Sequence, residues 1–401
     1  MVSEFSKLIS FEELYSESTD HFLQPFQKVV KPDIHSGMEL NFELHNKKRD
    51  KKISPILYLA KLSDAEEILD IYNDIYQGTY PYKEMECLEE IEKMITSSNY
   101  RWLLFRTPHG KIAGCFTYQL DFEKKHGYMR GFNIKKKYQG KIDAVKAVIG
   151  SMIGIWNEYH GKICIWYCEN RTAHTKSQYL SIVCGIKPIA ILPNKDIFFN
   201  EYESDILHVA YNINAIGKFR SDLCPKIIPE VEKCFNYSDS LYNLGYNEII
   251  TPNVLLNHKF IKDLENNLTT KNSTDRLYYK IVRLDLNNGS YLKFLFNPQL
   301  LNIEKIEYKV SYLEEFYLLI QELRNFINKF DVRYCEIITS AYNVHHQQIL
   351  SNLDFKPRGY IPSWNFNNGK FEDSILFNCY KGSLNPNIKL LRQSSKLLSF
   401  I

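Results

Sequence analysis

One short stretch of this 401-residue chain combines residue types that bind anions. FNIKKKYQGKIDAVKAVIG, residues 132–150, predicts a strand, a basic loop around Gly140 and then a helix. The first N–H groups of a helix have no partner within the helix, and a glycine lets the backbone approach a ligand closely. The helix dipole and the lysines of the loop add positive charge, so the pattern favours a diphosphate. The alternative is an ordinary strand–helix turn with solvated lysines.

The loop has neither of the two commonest nucleotide-binding patterns. It lacks the GxxxxGK[ST] of P-loop proteins and the GxGxxG of dinucleotide-binding folds. The hexapeptide QGKIDA, residues 139–144, instead resembles the Gln/Arg-x-x-Gly-x-Gly/Ala loop that binds the coenzyme A pyrophosphate in the GNAT superfamily of acyl-CoA-dependent N-acyltransferases. Gln139 and Ala144 match the first and last positions of that motif, and Ile142 replaces its central glycine.

The resemblance covers about residues 53–213 and implies a site for acetyl-CoA, or another acyl-CoA, as co-substrate. Asn170 follows the fifth strand, where the family has a polar residue beside the pantetheine. The family's tyrosine comes seven residues later, where this chain has Ser177, with Tyr179 two residues further on. The coenzyme-binding residues that the resemblance implies are Ile134, Lys136, Gln139, Gly140, Lys141, Ile142, Asp143, Ala144 and Asn170. Because backbone donors remain in the loop, we expect a coenzyme site with altered geometry.

Three residues are candidates for the chemistry of acyl transfer. Attack of a neutral amine on a thioester needs a donor for the oxyanion, a base for the amine proton and an acid for the thiolate. The resemblance assigns the oxyanion to a backbone N–H near Ile134, exposed by a strand bulge, and the acid to Tyr179. Glu169, at a strand end, could accept the amine proton through water, with His126 and His174 as competitors. A structural role is the alternative for each of these side chains.

A tyrosine-rich loop could form the acceptor pocket. YQGTYPY, residues 76–82, follows the first predicted helix, where this family often has its acceptor-binding wall. Tyr80 and Tyr82 suit a pocket with both polar and apolar surface. The alternative is a proline-fixed loop with packing aromatic side chains. We expect the acceptor to be the amine of a small molecule.

The elements that would position these residues form a mixed α/β domain. Apolar periodicity predicts a strand, a helix with Ser63 as N-cap that stops at Gly78, a second helix and three strands in an antiparallel meander. The basic loop follows, and then a helix, a strand, a helix and a last strand. This is the order of the GNAT family, and it implies a mixed, mostly antiparallel sheet flanked by helices.

The second half of the chain repeats this order in a diverged form. Residues 341–365, AYNVHHQQILSNLDFKPRGYIPSWN, parallel residues 169–196, since each segment has an Asn after a strand, a helix and a Lys-Pro strand. We infer a tandem duplication, with an N-terminal extension over 1–52, a catalytic domain over 53–213 and a second domain over 214–401. The second loop has no glycine and carries Glu314 and Glu315 at its helix start, so we expect it to bind no coenzyme A. For His345 and His346 we expect a surface or cap role, not metal binding.

Composition limits the classes of partner. A net charge of +3 and a hydrophobic content of 44% describe a globular chain with no general attraction to nucleic acid or to anionic membranes. The sequence has no apolar run near the ~20 residues of a membrane span and no signal-peptide pattern at its start, so we expect a soluble, cytoplasmic protein. The nine cysteines show no C-x-x-C pair, and we expect neither disulfides nor zinc. The sequence does not specify the oligomeric state.

Two functional interpretations follow from the sequence. The first is an acyl-CoA-dependent N-acyltransferase with acetyl-CoA or another acyl-CoA as donor, a small-molecule amine as acceptor and no metal. The alternative is a non-catalytic protein of the same fold that senses acyl-CoA or binds a partner.

Overall fold

The structure is a computed structural model that describes residues 39–40 and 52–401 of the chain. Most of the predicted N-terminal extension therefore lies outside the described residues. The first eight strands are β1 Glu39–Leu40, β2 Ile56–Leu59, β3 Tyr100–Arg106, β4 Ile112–Asp121, β5 His126–Ile134, β6 Ile165–Arg171, β7 Lys187–Phe198 and β8 Glu201–Tyr211. The helices among them are α1 Ala65–Tyr76, α2 Leu88–Thr96, α3 Ala144–Glu158 and α4 Lys176–Val183, followed by the short α5 Ile213–Ile216.

The remaining elements continue the alternation of strands and helices. The strands are β9 Lys226–Ile227, β10 Glu248–Ile249, β11 Thr269–Thr274, β12 Lys280–Asp285, β13 Tyr291–Asn297, β14 Asn302–Lys309, β15 Tyr334–Ser340, β16 Lys356–Asn367 and β17 Lys370–Tyr380. The helices are α6 Glu232–Tyr242, α7 His258–Glu265, α8 Leu313–Lys329 and α9 Val344–Asn352. The protein is thus of mixed α/β class, with mixed, mostly antiparallel sheet and flanking helices, as predicted.

Two compact units divide the described chain. Unit 1 contains the described residues up to Pro188, together with Phe198–Asn200 and Leu207–Phe219. Unit 2 contains Ile189–Ile197, Glu201–Ile206 and Arg220–Ile401. Strands β7 and β8 therefore contribute residues to both units. The domain division predicted at residue 213 stays a prediction.

The sheet of unit 1 has the strand order β1-β2-β3-β4-β5-β6-β8. Strands β1 to β5 pair antiparallel, and β5 pairs with β6 in parallel. Helix α1 buries one face against this sheet because its apolar residues recur at helical spacing. The buried residues of that face are Ala65, Ile68, Ile71, Tyr72 and Tyr76, and they pack with Trp102 and Leu104 of β3.

A bulge interrupts the pairing of β4 with β5. Cys115 pairs with Asn133 and Thr117 with Arg130, so two steps on β4 oppose three steps on β5. Gly131 lies at this point with a φ of +64°, a conformation that suits glycine. A bulge of this kind bends the strand and re-aims the residues that follow it. Here those residues lead into the basic loop.

The two parallel strands of unit 1 stay paired only at their beginnings. In the part of the chain that the structure describes, the ladder joins His126–Tyr128 to Ile165–Tyr167 and ends there. Strand β5 continues to Ile134 and β6 to Arg171. The amides of these two strand ends that point away from β4 and β8 therefore face a gap between β5 and β6.

Unit 2 contains a sheet with the strand order β7-β16-β17-β15-β14-β13-β12-β11. The only parallel pair in this eight-stranded sheet, among the described strands, is β14 with β15, joined at Asn302–Tyr334 and Ile303–Cys335. The ladder of β13 with β14 has a bulge of the same kind as unit 1, with Lys305 at a φ of +54°. The order of three meander strands, helix, parallel strand, helix and two further strands thus recurs in unit 2. The tandem duplication stays a prediction.

Strand β7 contacts the rest of unit 2 through backbone pairing and through an ion pair. Ala190 pairs with Gly359 of β16, where an added Cβ would lie 2.3 Å from the Ala190 Cβ. Lys195 is 1% exposed, and its Nζ donates to Oε1 and Oε2 of Glu336 on β15 at 3.1 and 3.2 Å. The Tyr334 hydroxyl donates to the same carboxylate at 2.7 Å. The buried ammonium is therefore fully neutralised by a hydrogen-bonded carboxylate, as burial of a charge requires.

Several predicted details differ from the structure. Ser63 is not the N-cap of α1, because residues 62–64 form a 3-10 turn and the carboxylate of Asp64 accepts from the Lys61 N–H at 2.7 Å. Helix α1 ends at Tyr76, before Gly78, because Gln77 already takes the left-handed conformation with a φ of 53°. Strand β11 gave no sequence signal, since all six residues of TTKNST are exposed and none is apolar.

Candidate functional site

The basic loop of unit 1 is a compact turn between β5 and α3. It begins with the 3-10 turn Lys136–Tyr138, and Gly140 has a φ of +75° with nothing within 4 Å of where a Cβ would lie. Ile142 is 1% exposed and points into the core, whereas Gln139 and Lys141 are exposed. The third residue after Gln139 is thus a core side chain.

Most amides of this loop already have acceptors within the protein. The Lys141 and Ile142 N–H groups donate to the Tyr138 carbonyl at 3.0 and 3.1 Å. The Asp143 N–H donates to the carbonyl of Ile53 at 2.9 Å, and the Ile53 N–H donates to the Lys141 carbonyl at 2.9 Å. The segment before β2 therefore pairs with the loop and closes it on one side.

Asp143 itself caps the helix that the loop introduces. It is buried, and its Oδ1 accepts from the N–H groups of Val145 and Lys146, both at 3.2 Å. A side-chain acceptor on the first-turn amides is an N-cap, and the negative charge also complements the helix dipole. The helix begins at Ala144. The N–H groups of Val145 and Lys146, in its first turn, are thus already hydrogen-bonded to the Asp143 carboxylate.

The strand end next to the loop is held from two sides. The Gln139 Nε2 donates to the Ile134 carbonyl at 3.1 Å, so this glutamine orients the last residue of β5. The Lys136 N–H donates to Oδ2 of Asp74 on α1 at 2.7 Å. Lys135 forms an ion pair with Glu67 of the same helix. These contacts fix the direction in which the chain leaves the bulge.

Asn170 faces inward. It is buried, and its Nδ2 lies 2.8 Å from the Ser181 Oγ, 3.0 Å from the His208 Nδ1 and 3.4 Å from the Cys168 Sγ. Its amide nitrogen thus joins β6 to α4 and β8. Any contact with a pantetheine would have to come from its backbone or its Oδ1.

Glu169 and Tyr179 lie in different settings. Glu169 is half-buried on β6, and its Oε2 accepts from the Tyr128 hydroxyl of β5 at 3.1 Å, so this bond joins the two parting strands. The ring of Tyr128 also stacks on Tyr167 at 4.8 Å between centroids. Tyr179 is 49% exposed on α4, whereas the hydroxyl of Ser177 is buried and has no partner among the described residues. Seven residues after Asn170 the chain therefore has a buried serine hydroxyl, and the exposed Tyr179 lies two residues further on.

The other candidate residues divide between core and surface. His126 is buried and edge-on to Tyr167, and His174 is half-buried. Tyr80 is 7% exposed and packs edge-on to Tyr72, which makes it part of the core. Tyr82 is half-buried, with the Arg130 guanidinium 5.0 Å from its ring. Of the two tyrosines predicted for the acceptor, Tyr82 has the more accessible position.

A charged pair lies beside these rings. Arg130 of β5 donates to Oε1 of Glu84 at 3.0 Å, and its side chain is only 8% exposed. Arg130 also lies 5.6 Å from the Tyr128 ring. Two carboxylates, of Glu84 and Glu169, are thus connected to this face of β5 by Arg130 and Tyr128.

Sequence reasoning missed a cluster of buried polar groups at the bulge. The Tyr72 hydroxyl, the Thr117 Oγ1 and the Asn133 Nδ2 are buried and have no partner among the described residues. A Cβ placed on Gly131 would lie 2.1 Å from the Tyr72 hydroxyl and 3.8 Å from the Thr117 Oγ1, so both hydroxyls face this glycine. Buried polar groups are nearly always hydrogen-bonded, and such a cluster marks a site for water or for a ligand. A glycine inside a predicted strand was the available signal.

Burial also keeps the Tyr72 hydroxyl of this cluster protonated. It raises the pKa of Tyr72 well above its usual value of 10, so the phenol stays protonated and can donate a hydrogen bond. The Tyr76 hydroxyl donates to the Asn133 Oδ1 at 3.0 Å. This hydrogen bond uses the oxygen of the Asn133 amide and leaves its nitrogen, Nδ2, available as a donor. The bulge thus brings together two hydroxyls that can hold a small polar group, and the unpartnered amide nitrogen of Asn133 belongs to the same strand as Gly131.

The equivalent position of unit 2 is filled by side chains. Glu315 of α8 is buried, and its Oε2 accepts from the N–H groups of Ser311 and Tyr312 at 2.7 and 3.1 Å and from the Ser290 hydroxyl at 2.8 Å. Although burial opposes ionisation, these donors hold the pKa of Glu315 below its usual value. A carboxylate therefore occupies the start of this helix.

Aromatic side chains line the parting strands of unit 2. The Tyr308 hydroxyl of β14 lies 2.8 Å from the Thr339 Oγ1 of β15, and its ring lies 5.0 Å from Phe316. The His346 ring is half-buried and stacks on Phe316 at 3.9 Å between centroids, while His345 is exposed. The His346 N–H donates to the Asn343 Oδ1 at the start of α9.

Two kinds of feature are absent among the described residues. None of the helices in this part of the chain is long and apolar enough to cross a membrane. No group of three or more His, Cys, Asp or Glu side chains in it could hold a metal ion.

Comparisons with known proteins gave structural similarity alone. No family model matches the chain, and no curated protein does. A mutant of the spermidine N-acetyltransferase SpeG from Vibrio cholerae is 14% identical and covers 40% of this chain and 96% of that chain, with a TM-score of 0.35. The dodecameric form of that acetyltransferase gives the same identity and coverage with a TM-score of 0.34, and a chimera of SpeG with hSSAT is 16% identical with a TM-score of 0.32. Similarity of this degree carries no functional argument.

Proposed function

We propose that this protein is an acyl-CoA-dependent N-acyltransferase of small-molecule amines, with its site in unit 1. The observation that carries the proposal is the bulge of β5 beside a parallel strand from which β5 parts. This arrangement leaves backbone amides of β5 facing a gap, where a pantetheine arm could pair with the strand as an additional strand would. The unpartnered hydroxyls of Tyr72 and Thr117 lie at the same bulge.

The residues of the bulge have the chemistry that acyl transfer needs. The backbone N–H near Ile134 would donate to the oxyanion of the tetrahedral intermediate. Tyr72, Thr117 and Asn133 would hold a water that receives the amine proton, and Glu169 would accept that proton through water. The proposed acid for the departing thiolate is Tyr179.

The coenzyme diphosphate would bind at the exposed side of the loop. Gly140 and the side chains of Lys136, Gln139 and Lys141 are exposed there. Because Asp143 already caps α3, the diphosphate would rely on lysine side chains and on the Gly140 amide more than on the helix start. We therefore expect weaker binding of coenzyme A than a loop with free first-turn amides would give.

The acceptor would be a cationic amine that approaches along the face of β5 with Tyr82 and Glu84. Tyrosine rings and carboxylates favour a protonated amine, which must lose its proton before attack. Tyr80 would support this wall from the core, where it packs against Tyr72.

A second candidate function is a non-catalytic acyl-CoA-binding or partner-binding protein. The observations that favour it are the Asp143 cap and the inward-facing amide of Asn170, since both use groups that would otherwise face the coenzyme. A protein of this kind would bind acetyl-CoA and would not transfer its acyl group to any amine.

Calorimetric titration with acetyl-CoA and a coenzyme A release assay on a panel of amines test the proposal. Gly140→Asp adds a negative charge at the proposed diphosphate site and should abolish binding. Gly161→Asp is the matched control, because Gly161 is also exposed, has a φ of +80° and has open space around the position of an added Cβ. Binding lost in the first variant only, together with turnover on an amine, supports the enzyme. Binding without turnover favours the second candidate, and equal binding in both variants contradicts this site.

A further inference from the structure

Two cysteines of unit 2 face each other across a pair of strands. Cys335 of β15 pairs directly with Cys379 of β17 in an antiparallel ladder. Residues opposite each other in such a ladder have Cα atoms about 4.5–5.5 Å apart, and their side chains share a face of the sheet. A disulfide spans about 4.4–6.8 Å between Cα atoms. The backbone therefore already has the spacing of a cross-strand disulfide.

The two thiols differ in access. Cys335 is completely buried, whereas Cys379 is only partly buried and lines a cavity of about 270 Å³. Residues Asn378 to Lys381, at the end of β17, form one wall of this cavity. A reagent in the cavity can therefore reach Cys379 but not Cys335.

The cavity is strongly basic. Arg324, Lys356, Arg358 and Lys381 line it, against a single acidic residue, Asp354. The Arg324 guanidinium contacts Asp354 at 3.4 Å, and Lys381 contacts Asp331 at 2.8 Å, but these carboxylates are 76% and 84% exposed. Ion pairs with such exposed partners contribute little, so a ligand carboxylate can replace them.

We infer that Cys379 is a site of thiol–disulfide exchange with a small carboxylate-bearing disulfide, and that Cys335 resolves the product. The carboxylates of the reagent would lie against Arg324, Lys356 and Lys381. The inference concerns unit 2 alone and does not depend on the function proposed for unit 1.

The exchange proceeds in two balanced steps. The Cys379 thiolate attacks one sulfur of the disulfide RS–SR, so that a Cys379–SR bond forms, the S–S bond of the reagent breaks and RS⁻ leaves. The Cys335 thiol then loses its proton and attacks the Cys379 sulfur, which forms the Cys335–Cys379 disulfide and releases a second RS⁻, protonated to RSH. The protein dithiol is oxidised by two electrons, and the reagent is reduced to two thiols.

The environment of the sulfurs supports this division of roles. The pKa of Cys379 lies below its usual value because the Cys335 thiol donates a hydrogen bond to it, and the nearby Arg324 guanidinium acts in the same direction. Burial raises the pKa of Cys335. A cysteine that ionises more readily beside an arginine is the attacking group of such a pair.

Oxidised glutathione, added to the full chain, is the probe that tests the inference. After alkylation of free thiols, peptide mapping should find a Cys335–Cys379 link in the native protein. In Cys335→Ser we expect one glutathionyl group to remain on Cys379, because the resolving thiol is absent. In Arg324→Gln we expect the exchange rate to fall about three- to tenfold.

A second reagent and a control variant distinguish a specific exchange site at Cys379 from general thiol reactivity. Cystamine, a cationic disulfide, should react with Cys379 more slowly than glutathione disulfide does, because the cavity is basic. Cys224→Ser is the control variant, since Cys224 is also partly buried but lies outside this cavity. Equal rates with the two reagents, or adducts on Cys87, Cys164 and Cys224 with Cys379 unmodified, would overturn the inference. Mapping of the native protein needs no variant, so a misfolded mutant does not remove the test.

Discussion

At the scale of single residues, the sequence identified polar residues of the candidate site but did not show which of them have hydrogen-bond partners within the chain. Glu169, Asn170 and Asp143 are polar residues in the expected places, yet each has a hydrogen-bond partner within the chain. The unpartnered groups at the bulge include the hydroxyls of Tyr72 and Thr117, which sequence periodicity assigns to a helix face and a strand interior. Periodicity predicts which side chains are buried, but the partners of a buried hydroxyl depend on residues far along the chain.

The Tyr72 hydroxyl is expected to serve catalysis and not stability. Tyr72→Phe keeps the ring, which packs edge-on to Tyr80 at 5.0 Å and Trp102 at 6.2 Å. Because the hydroxyl has no partner among the described residues, its loss should leave the free energy of unfolding unchanged or raise it by about 1 kcal/mol. If the hydroxyl holds a catalytic water, kcat should fall by about 100-fold.

Urea unfolding and steady-state kinetics on the same preparation measure both effects. Thr117→Val removes the second hydroxyl with little change of shape and should act in the same direction. A large loss of stability in Tyr72→Phe with unchanged kcat would identify a purely structural hydroxyl.

Gly131 is expected to be intolerant of a side chain for two reasons. Its φ of +64° costs a residue with a Cβ about 1–2 kcal/mol, and the added Cβ would lie 2.1 Å from the Tyr72 hydroxyl. Gly110→Ala shares the first cost, since its φ is +76°, but has nothing within 4 Å of the new Cβ. We therefore expect Gly131→Ala to lower the free energy of unfolding by more than Gly110→Ala does, in urea denaturation. Equal losses would mean that Tyr72 moves aside freely.

At the scale of elements, the strands of the meander were predicted well and the connections less well. The apolar runs of β3 and β4 identified both strands, because one or both faces of each strand are buried. The N-cap of α1 was placed one residue early, and β11 was missed because its residues are exposed and polar. The basic loop and the helix after it were found, but the cap that Asp143 provides was not.

Helix α9 carries a residue that should couple stability to acidity. Burial, and then the charge of His345, lower the pKa of His346 from 6.5 to about 4. The unfolded chain therefore binds this proton before the folded chain does. Stability from His346 is complete above pH 6.5 and is lost, by up to about 3 kcal/mol, as the pH falls toward 4.

His346→Phe should reduce this slope, because phenylalanine keeps the stack on Phe316 and has no proton to bind. Urea midpoints measured between pH 4 and 7 give the comparison. His345→Gln removes the smaller cause of the shift, so it should reduce the slope less than His346→Phe does. An unchanged slope in His346→Phe would show that other groups carry the acid sensitivity.

At the scale of the whole molecule, the two units repeat one arrangement with different contents. Each has a bulged strand, a parallel neighbour that parts from it and a carboxylate, Asp143 or Glu315, at the start of the helix that follows. In unit 2 the Tyr308 hydroxyl of β14 contacts the Thr339 hydroxyl of β15, beyond the residues at which these two strands pair. The sequence anticipated a second unit that binds no coenzyme A, from Glu314 and Glu315, and this stays a prediction. What it could not anticipate was that β7 contributes residues to both units.

We expect one equivalent of acetyl-CoA per chain. Glu315 already accepts hydrogen bonds from the N–H groups of Ser311 and Tyr312, so these two amides of the unit 2 loop are not available to a diphosphate. Calorimetric titration gives the stoichiometry directly. Two equivalents, or a single equivalent that survives Gly140→Asp, would place a coenzyme site outside unit 1.

The pairing of Ala190 with Gly359 also has a consequence for how the protein is made. The two residues are about 170 positions apart, so a ribosome that adds roughly 5–20 residues per second needs about 10–30 seconds between them. During that interval the buried segment Ile189–Leu192 has emerged without its partner strand, and Lys195 has no Glu336 to neutralise it. The nascent chain thus carries an apolar strand with an open edge, which is the kind of segment that chaperones bind.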